Sequence, residues 1–100
     1  MYKKVFEGGR ALRAAPMTLR YARAEGDCTR VGFIIRKQFG NACRRNSLRR
    51  VLRVAFQQAL PGMRADAWMI FDVSNQAARM RRGELKAEAD RLLSILAREA

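Results

Sequence analysis

The amino-acid sequence predicts a mixed α/β (α+β) sandwich of two or three layers, a small sheet covered by amphipathic helices. Three observations predict it. Residues 17–23 and 29–37 alternate apolar and polar side chains with the two-residue period of half-buried strands. Residues 41–60 hold neither Gly nor Pro and repeat apolar positions at helical spacing, up to the stop at Pro61-Gly62. A mostly apolar stretch at 67–73 is followed by a second helical pattern at 84–99. One hundred residues suit one compact domain, 1–100, and leave no room for a second core.

In chain order, residues 2–6 read as one or two helical turns closed by Gly8-Gly9, because glycine adopts the left-handed angles that end helices. In the first strand Met17, Leu19 and Tyr21 alternate with Thr18, Arg20 and Ala22. Glu25, Gly26 and Asp27 read as a turn. The second strand places Val31, Phe33 and Ile35 on one face and Arg30, Gly32, Ile34 and Arg36 on the other, and the two strands are expected to form an antiparallel hairpin. Asn41 is the expected N-cap of the long helix. At 100° per residue, Leu48, Val51, Leu52, Ala55 and Ala59 share one face, while Asn46, Arg49, Arg50 and Arg53 fall within about 100° on the other side. The strand at 67–73 is continuous enough in apolar character to be central, with Trp68 in the core. Leu85, Ala89, Leu92, Leu93 and Leu96 form the stripe of the last helix, whose mixed-charge polar face points to a packing role.

Lys and Arg number 21 against 9 Asp and Glu, a formal net charge of +12. Such a charge opposes compaction by self-repulsion and is tolerated where an anionic partner offsets it. Arg dominates the basic set, and its planar guanidinium pairs bidentately with phosphate and stacks on bases, so the expected partner is nucleic acid. The chain has no His, which removes Ser-His and Cys-His nucleophile pairs, His general bases and helix-borne His metal sites. Cys28 and Cys43 are too few for a thiolate zinc site and are expected to be reduced, half-buried fillers. No signal-peptide core or apolar run near 20 residues is present, so a cytoplasmic location with no membrane partner is expected.

The basic residues concentrate where the second strand ends in Arg36-Lys37, turns through Gly40 and enters a helix reading Arg44-Arg45-Asn46-Ser47-Leu48-Arg49-Arg50. Helix amides add partial positive charge where Lys37, Arg44 and Arg45 gather, which suits a phosphate backbone. A solvated helix face is the bland alternative. Against it, Arg45/Arg49 and Arg49/Arg53 are like-charged pairs at i,i+4, and no acid relieves them.

Arg30-Val31-Gly32-Phe33, Lys37, Gly40-Asn41-Ala42 and Arg45-Asn46-x-Leu48-Arg49-Arg50 together resemble, without a gap, the signature of the bacterial ribonuclease P protein family. The likeness reaches back through Val5-Phe6, Gly9 and Tyr2 and forward to a strand and a helix of suitable length. Within the motif, Ser47 stands in place of the second Arg of Arg-Asn-Arg and Gln38 where a second Lys is usual, and Asp72 lies where a basic residue often follows. The resemblance implies the order αβββαβα with a left-handed crossover to the basic helix, similar to the ribosomal protein S5 domain 2-like fold. Periodicity supplies that order short of one strand. Either residues 30–36 divide into a pair, or residues 17–23 have a shorter neighbour near Ala11.

The same resemblance implies a protein subunit of an endoribonuclease whose catalyst is RNA, with no catalytic residue in this chain, removing the 5′ leader of precursor tRNA. Arg36, Lys37, Arg44, Arg45, Asn46, Arg49, Arg50 and Arg53 would bind the ribonuclease P RNA. Tyr2, Phe6, Thr18 and Arg20 would line a cleft for the single-stranded leader, although both aromatics equally fit a short helix pinned to the core. Mg²⁺ would be held mainly by the RNA subunit and substrate, with no protein cage and no protein partner implied. Two other functions compete. A generic RNA-binding or ribosome-associated module would use the same arginines without preferring precursor over mature tRNA. An autonomous metal nuclease would need Asp66, Asp72 or Glu84, which lack a tight spacing.

Overall fold

The computed structural model describes residues 2–14, 16–24, 29–63 and 66–99. Its elements run α1 (Tyr2–Gly8), β1 (Arg10–Ala14), β2 (Met17–Arg23), β3 (Arg30–Ile35), α2 (Ala42–Ala59), β4 (Ala67–Val73) and α3 (Arg82–Glu99), with short 3-10 turns at Lys37–Phe39, Leu60–Gly62 and Asn75–Arg79. This is the expected order αβββαβα. β2 and β4 occupy the bounds that periodicity predicts, because their alternation and apolar content match the faces they bury.

The sheet has the order β1-β2-β4-β3. β2 pairs antiparallel with β1 and β4, and β3 pairs parallel with β4. The expected hairpin between the strands at 17–23 and 29–37 therefore does not form, and β4 lies between them. The reason is burial. Ala67, Met69, Ile70, Phe71 and Val73 are all buried, so β4 fills both faces of the sheet. At an edge it would expose apolar side chains and an unpaired backbone ladder. The hairpin instead joins β1 to β2, whose register brings Ala14 opposite Met17. β1 escapes periodicity because Leu12 is its only large apolar residue, and it forms by pairing with Leu12 opposite Leu19. The expected turn at Glu25, Gly26 and Asp27 lies outside the described residues, and so does Cys28.

Helices cover the sheet unequally. α2 and α3 pack on each other and on the face formed by Met17, Leu19, Tyr21, Ile35, Met69, Phe71 and Val73, where Leu48, Leu52, Ala55, Phe56, Leu85, Leu92, Leu93 and Leu96 complete the core. Phe33 stacks on Phe71 with centroids 6.1 Å apart. The other face receives α1, which packs on β2 and β4 through the buried Val5. Gly9 makes that approach possible, since a Cβ there would strike the carbonyl oxygens of Val5 and Tyr21. The result is three layers, with one short helix leaving part of the outer sheet face accessible. Trp68 is on that face and half-buried rather than in the core, with its indole Nε1 enclosed and lacking a hydrogen-bond partner.

α2 begins where expected. Asn41 Oδ1 accepts the Arg44 backbone N–H at 2.9 Å, satisfying one amide of the first turn. Asn41→Ala is expected to cost about 1 kcal/mol of folding stability, read as a fall of roughly 4–8 °C in Tm for a domain of this size. No change in thermal melting would mean that solvent satisfies the same amide equally well.

Candidate nucleic-acid interface

Two cationic surfaces emerge from this architecture, one on each side of edge strand β3. The first is the exposed flank of α2. Arg50 and Arg53 are exposed there, Asn46 is exposed and accepts the Arg49 Nη1–H at 2.9 Å, and Arg49 and Arg45 are half-buried. The short bond holds Asn46 and Arg49 in one orientation along the ridge. Arg53 lies over the half-buried ring of Phe33, its guanidinium carbon 5.3 Å from the centroid, so it covers the β3 edge as well as facing outward. The predicted ridge of Asn46, Arg49, Arg50 and Arg53 is therefore assembled as one surface.

The other members of the predicted RNA-subunit set sit elsewhere. Arg44 stacks on Phe39 at 5.1 Å and donates to the carbonyl oxygens of Phe39 at 3.4 Å and Ala78 at 3.0 Å. Its stem crosses Gly40, where a Cβ would come within 2.9 Å of Arg44 Cδ. Arg44 thus ties the start of α2 to the turn at Asn75–Arg79, and that intramolecular role takes much of its donor capacity. Lys37 is exposed and opens the 3-10 turn between β3 and α2. Gln38 belongs to the same turn and so does not extend the strand. Cys43 is exposed in the first turn of α2, not the half-buried filler expected.

Arg36 continues the alternation of Arg30, Gly32 and Ile34 and so faces the outer side of the sheet, away from α2. There it joins the second surface. The β2–β4 register places Thr18 beside Asp72, and Arg20 one step along the same face. Arg36 Nη1 donates to Asp72 Oδ1 at 2.9 Å and to the Val73 carbonyl at 3.1 Å, while Arg20 Nε lies 3.6 Å from Asp72 Oδ2. The Arg20 guanidinium also covers the ring of Phe6 at 4.9 Å. Phe6 and Tyr2 remain exposed on α1, at 45% and 43%. Pro16, Thr18, Arg36, Asp72, Ser74 and Asn75 line a shallow cleft of about 290 Å³ at this end of the sheet.

Phe6, Thr18 and Arg20 are thus brought onto one surface, as the cleft expectation requires. Both aromatics are exposed, and Val5 is the α1 residue buried against the sheet. Arg13 and Asp72 lie on this surface and outside both expected sets. Arg13 faces outward opposite Thr18 across β1 and β2, and only recognition of β1 as a strand could have placed it. Asp72 is legible as an out-of-pattern acid, but its pairing with two arginines is a tertiary fact.

The carboxylates needed by an autonomous nuclease are dispersed and engaged. Asp66 Oδ1 accepts from Thr29 Oγ1 at 3.1 Å, Asp72 holds the two arginines, and Glu84 Oε1 accepts the Arg81 backbone N–H at 3.0 Å. Among the described residues no three His, Cys, Asp or Glu side chains gather as metal ligands. Among the same residues no helix is long and apolar enough to cross a membrane.

Known proteins share this chain's sequence pattern and its fold. A family model described as Ribonuclease P matches residues 1–97. A ribonuclease P protein component from Oceanobacillus iheyensis is 27% identical over 93 residues, covering 92% of this chain and 77% of its own length. Another from Chloroflexus aggregans is 31% identical over 93 residues, covering 92% of this chain and 69% of its own. A solved structure of the Staphylococcus aureus RNase P protein superposes with a TM-score of 0.85 at 19% identity, covering 94% of this chain and 86% of that one, which shows a common fold.

Proposed function

The chain belongs to the ribonuclease P protein component family, and on that premise we propose that it binds the catalytic RNA of ribonuclease P through α2 and the 5′ leader of precursor tRNA through the outer sheet face. One observation carries the reading: two cationic surfaces of different character flank edge strand β3. The ridge of Asn46, Arg49, Arg50 and Arg53 runs along one helix flank, with Arg49 held by Asn46 and Arg53 by the Phe33 ring, and is suited to neutralising phosphates of a folded RNA and releasing their counterions. The outer face pairs the exposed rings of Tyr2 and Phe6 with Thr18 and Arg20, and aromatic faces stack on unpaired bases of any sequence.

In this division of labour the protein supplies binding and orientation. Mg²⁺ held by RNA and substrate phosphates would supply the activation of water and the stabilisation of the leaving oxygen. Arg49, Arg50 and Arg53 reduce the repulsion between substrate and RNA subunit. Phe6 and Arg20 hold the leader in line with the tRNA body, which favours precursor over product. A role on precursor tRNA would put its work in the cytoplasm.

The test is cleavage of a leader-bearing precursor tRNA by a bacterial ribonuclease P RNA at limiting magnesium, with and without the protein. Stimulation is expected, together with tighter binding of precursor than of mature tRNA. Tight RNA binding without either effect would leave a generic RNA-binding module and overturn the proposal.

A further inference from the structure

We propose that Asp72 is a positioning residue that holds Arg36, with Arg20 behind it, as a subsite for one phosphodiester of the leader, so that a carboxylate strengthens the binding of a polyanion. The inference rests on the leader reading above and adds to it a residue whose charge has the wrong sign for simple attraction.

The geometry places the carboxylate beneath the guanidiniums. Asp72 lies on the central strand with its side chain 14% exposed, against 29% for Arg20 and 47% for Arg36. An anion approaching from solvent therefore meets Arg36 before it meets Asp72. Arg36 Nη1 is fixed by two acceptors, Asp72 Oδ1 at 2.9 Å and the Val73 carbonyl at 3.1 Å, which leaves the rest of its donor fork to face the cleft. Arg20 is set from both sides, by Phe6 at 4.9 Å and by Asp72 at 3.6 Å, and its Nε is enclosed with no hydrogen bond. Two guanidiniums against one carboxylate leave the group net positive.

A free arginine loses much rotamer freedom when it grips phosphate. One already held by a carboxylate has met that cost on folding, so its remaining donors bind with less penalty. The cleft beside Arg36 carries further donors in the Thr18 hydroxyl and the Asn75 amide, and its 290 Å³ or so accommodates a phosphate with part of its sugar. Without Asp72, Arg36 would keep the Val73 carbonyl but lose its charged acceptor at the end of edge strand β3. Its charge would persist, but it would be held over the cleft by one neutral bond instead of two acceptors.

The experiment uses the full chain assembled with a bacterial ribonuclease P RNA, and compares the Kd for leader-bearing precursor tRNA with that for mature tRNA. Asp72→Asn, although it removes a negative charge, is expected to reduce the precursor preference by about three- to tenfold, the scale of one charge-assisted contact. Arg36→Ala is expected to do the same, and the double variant Asp72→Asn with Arg36→Ala should lose less than the two single losses combined, because the carboxylate then has only Arg20 left to position. Arg36→Lys keeps the charge without the fork and should also lose preference. Mature tRNA binding should not change in any variant. Thermal melting checks folding, and a destabilised variant is measured below its transition.

Stronger or unchanged precursor binding by folded Asp72→Asn, or additive losses in the double variant, would overturn the inference. If the unaltered protein prefers precursor yet none of these variants matters, the subsite alone is wrong. If the unaltered protein shows no preference at all, the leader reading falls with it.

Discussion

Replacing Arg49, Arg50 and Arg53 by alanine together is expected to weaken binding to ribonuclease P RNA by about 100-fold at low salt, at roughly 1 kcal/mol for each phosphate contact. The slope of log K against log salt should flatten by between about two and three, since each neutralised phosphate releases most of one counterion. The fold should survive. Arg50 and Arg53 are exposed, Arg49 is half-buried, and only Arg53 covers an apolar group, the Phe33 ring, whose loss costs about 0.5–1 kcal/mol. Filter binding across a salt series, with circular dichroism melts of the same samples, separates the two effects. An unchanged salt slope in a folded triple variant would remove α2 from the RNA interface. Arg44→Ala serves as a contrast, because Arg44 bonds to the Phe39 and Ala78 carbonyls and its loss should appear in the melt more than in the slope.

The second large effect is expected at Phe71, which has no exposed surface, sits at the middle of the central strand and pairs with Leu19 and Phe33 on its two neighbours. Phe71→Ala should cost about 3–5 kcal/mol, the transfer term plus the cavity left beneath α2 and α3. Domains of this class have only about 5–15 kcal/mol to lose. Tm should fall by at least roughly 12 °C, at about 4–8 °C per kcal/mol. Stimulation of the RNA should vanish at the temperature where the variant melts and persist below it, because Phe71 has no exposed surface to offer a ligand. A fall below about 4 °C would contradict the placement of Phe71 under both helices.

Local chemistry made much of this molecule readable. Asn41, the Gly- and Pro-free run after it and Pro61-Gly62 bound α2 through capping and chain-breaking, which act within a few residues. The alternation in β2 and the apolar run in β4 named the buried faces, since a strand's two faces are set by its own period. The stripe of Leu85, Ala89, Leu92, Leu93 and Leu96 is buried as its spacing predicts. Charge named the class of partner, and the motif across Arg30 to Arg50 named the family that the matched model and relatives then showed.

Tertiary structure decided what period and charge leave open. Period says which face of a strand is buried, not which strand lies beside it, so β4 could take the place between β2 and β3 that a simple hairpin would have closed. That insertion brought Asp72 beside Thr18 and under Arg20 and Arg36, and it moved Arg36 from the α2 surface to the outer sheet face. Arg44 was likewise drawn to the Ala78 carbonyl, 34 residues away in sequence. By itself the sequence determined every helix and strand but β1, most of their buried faces and the family. The fold alone assigned each arginine its partner, because a guanidinium is satisfied by whichever acceptors the packed sheet brings within reach.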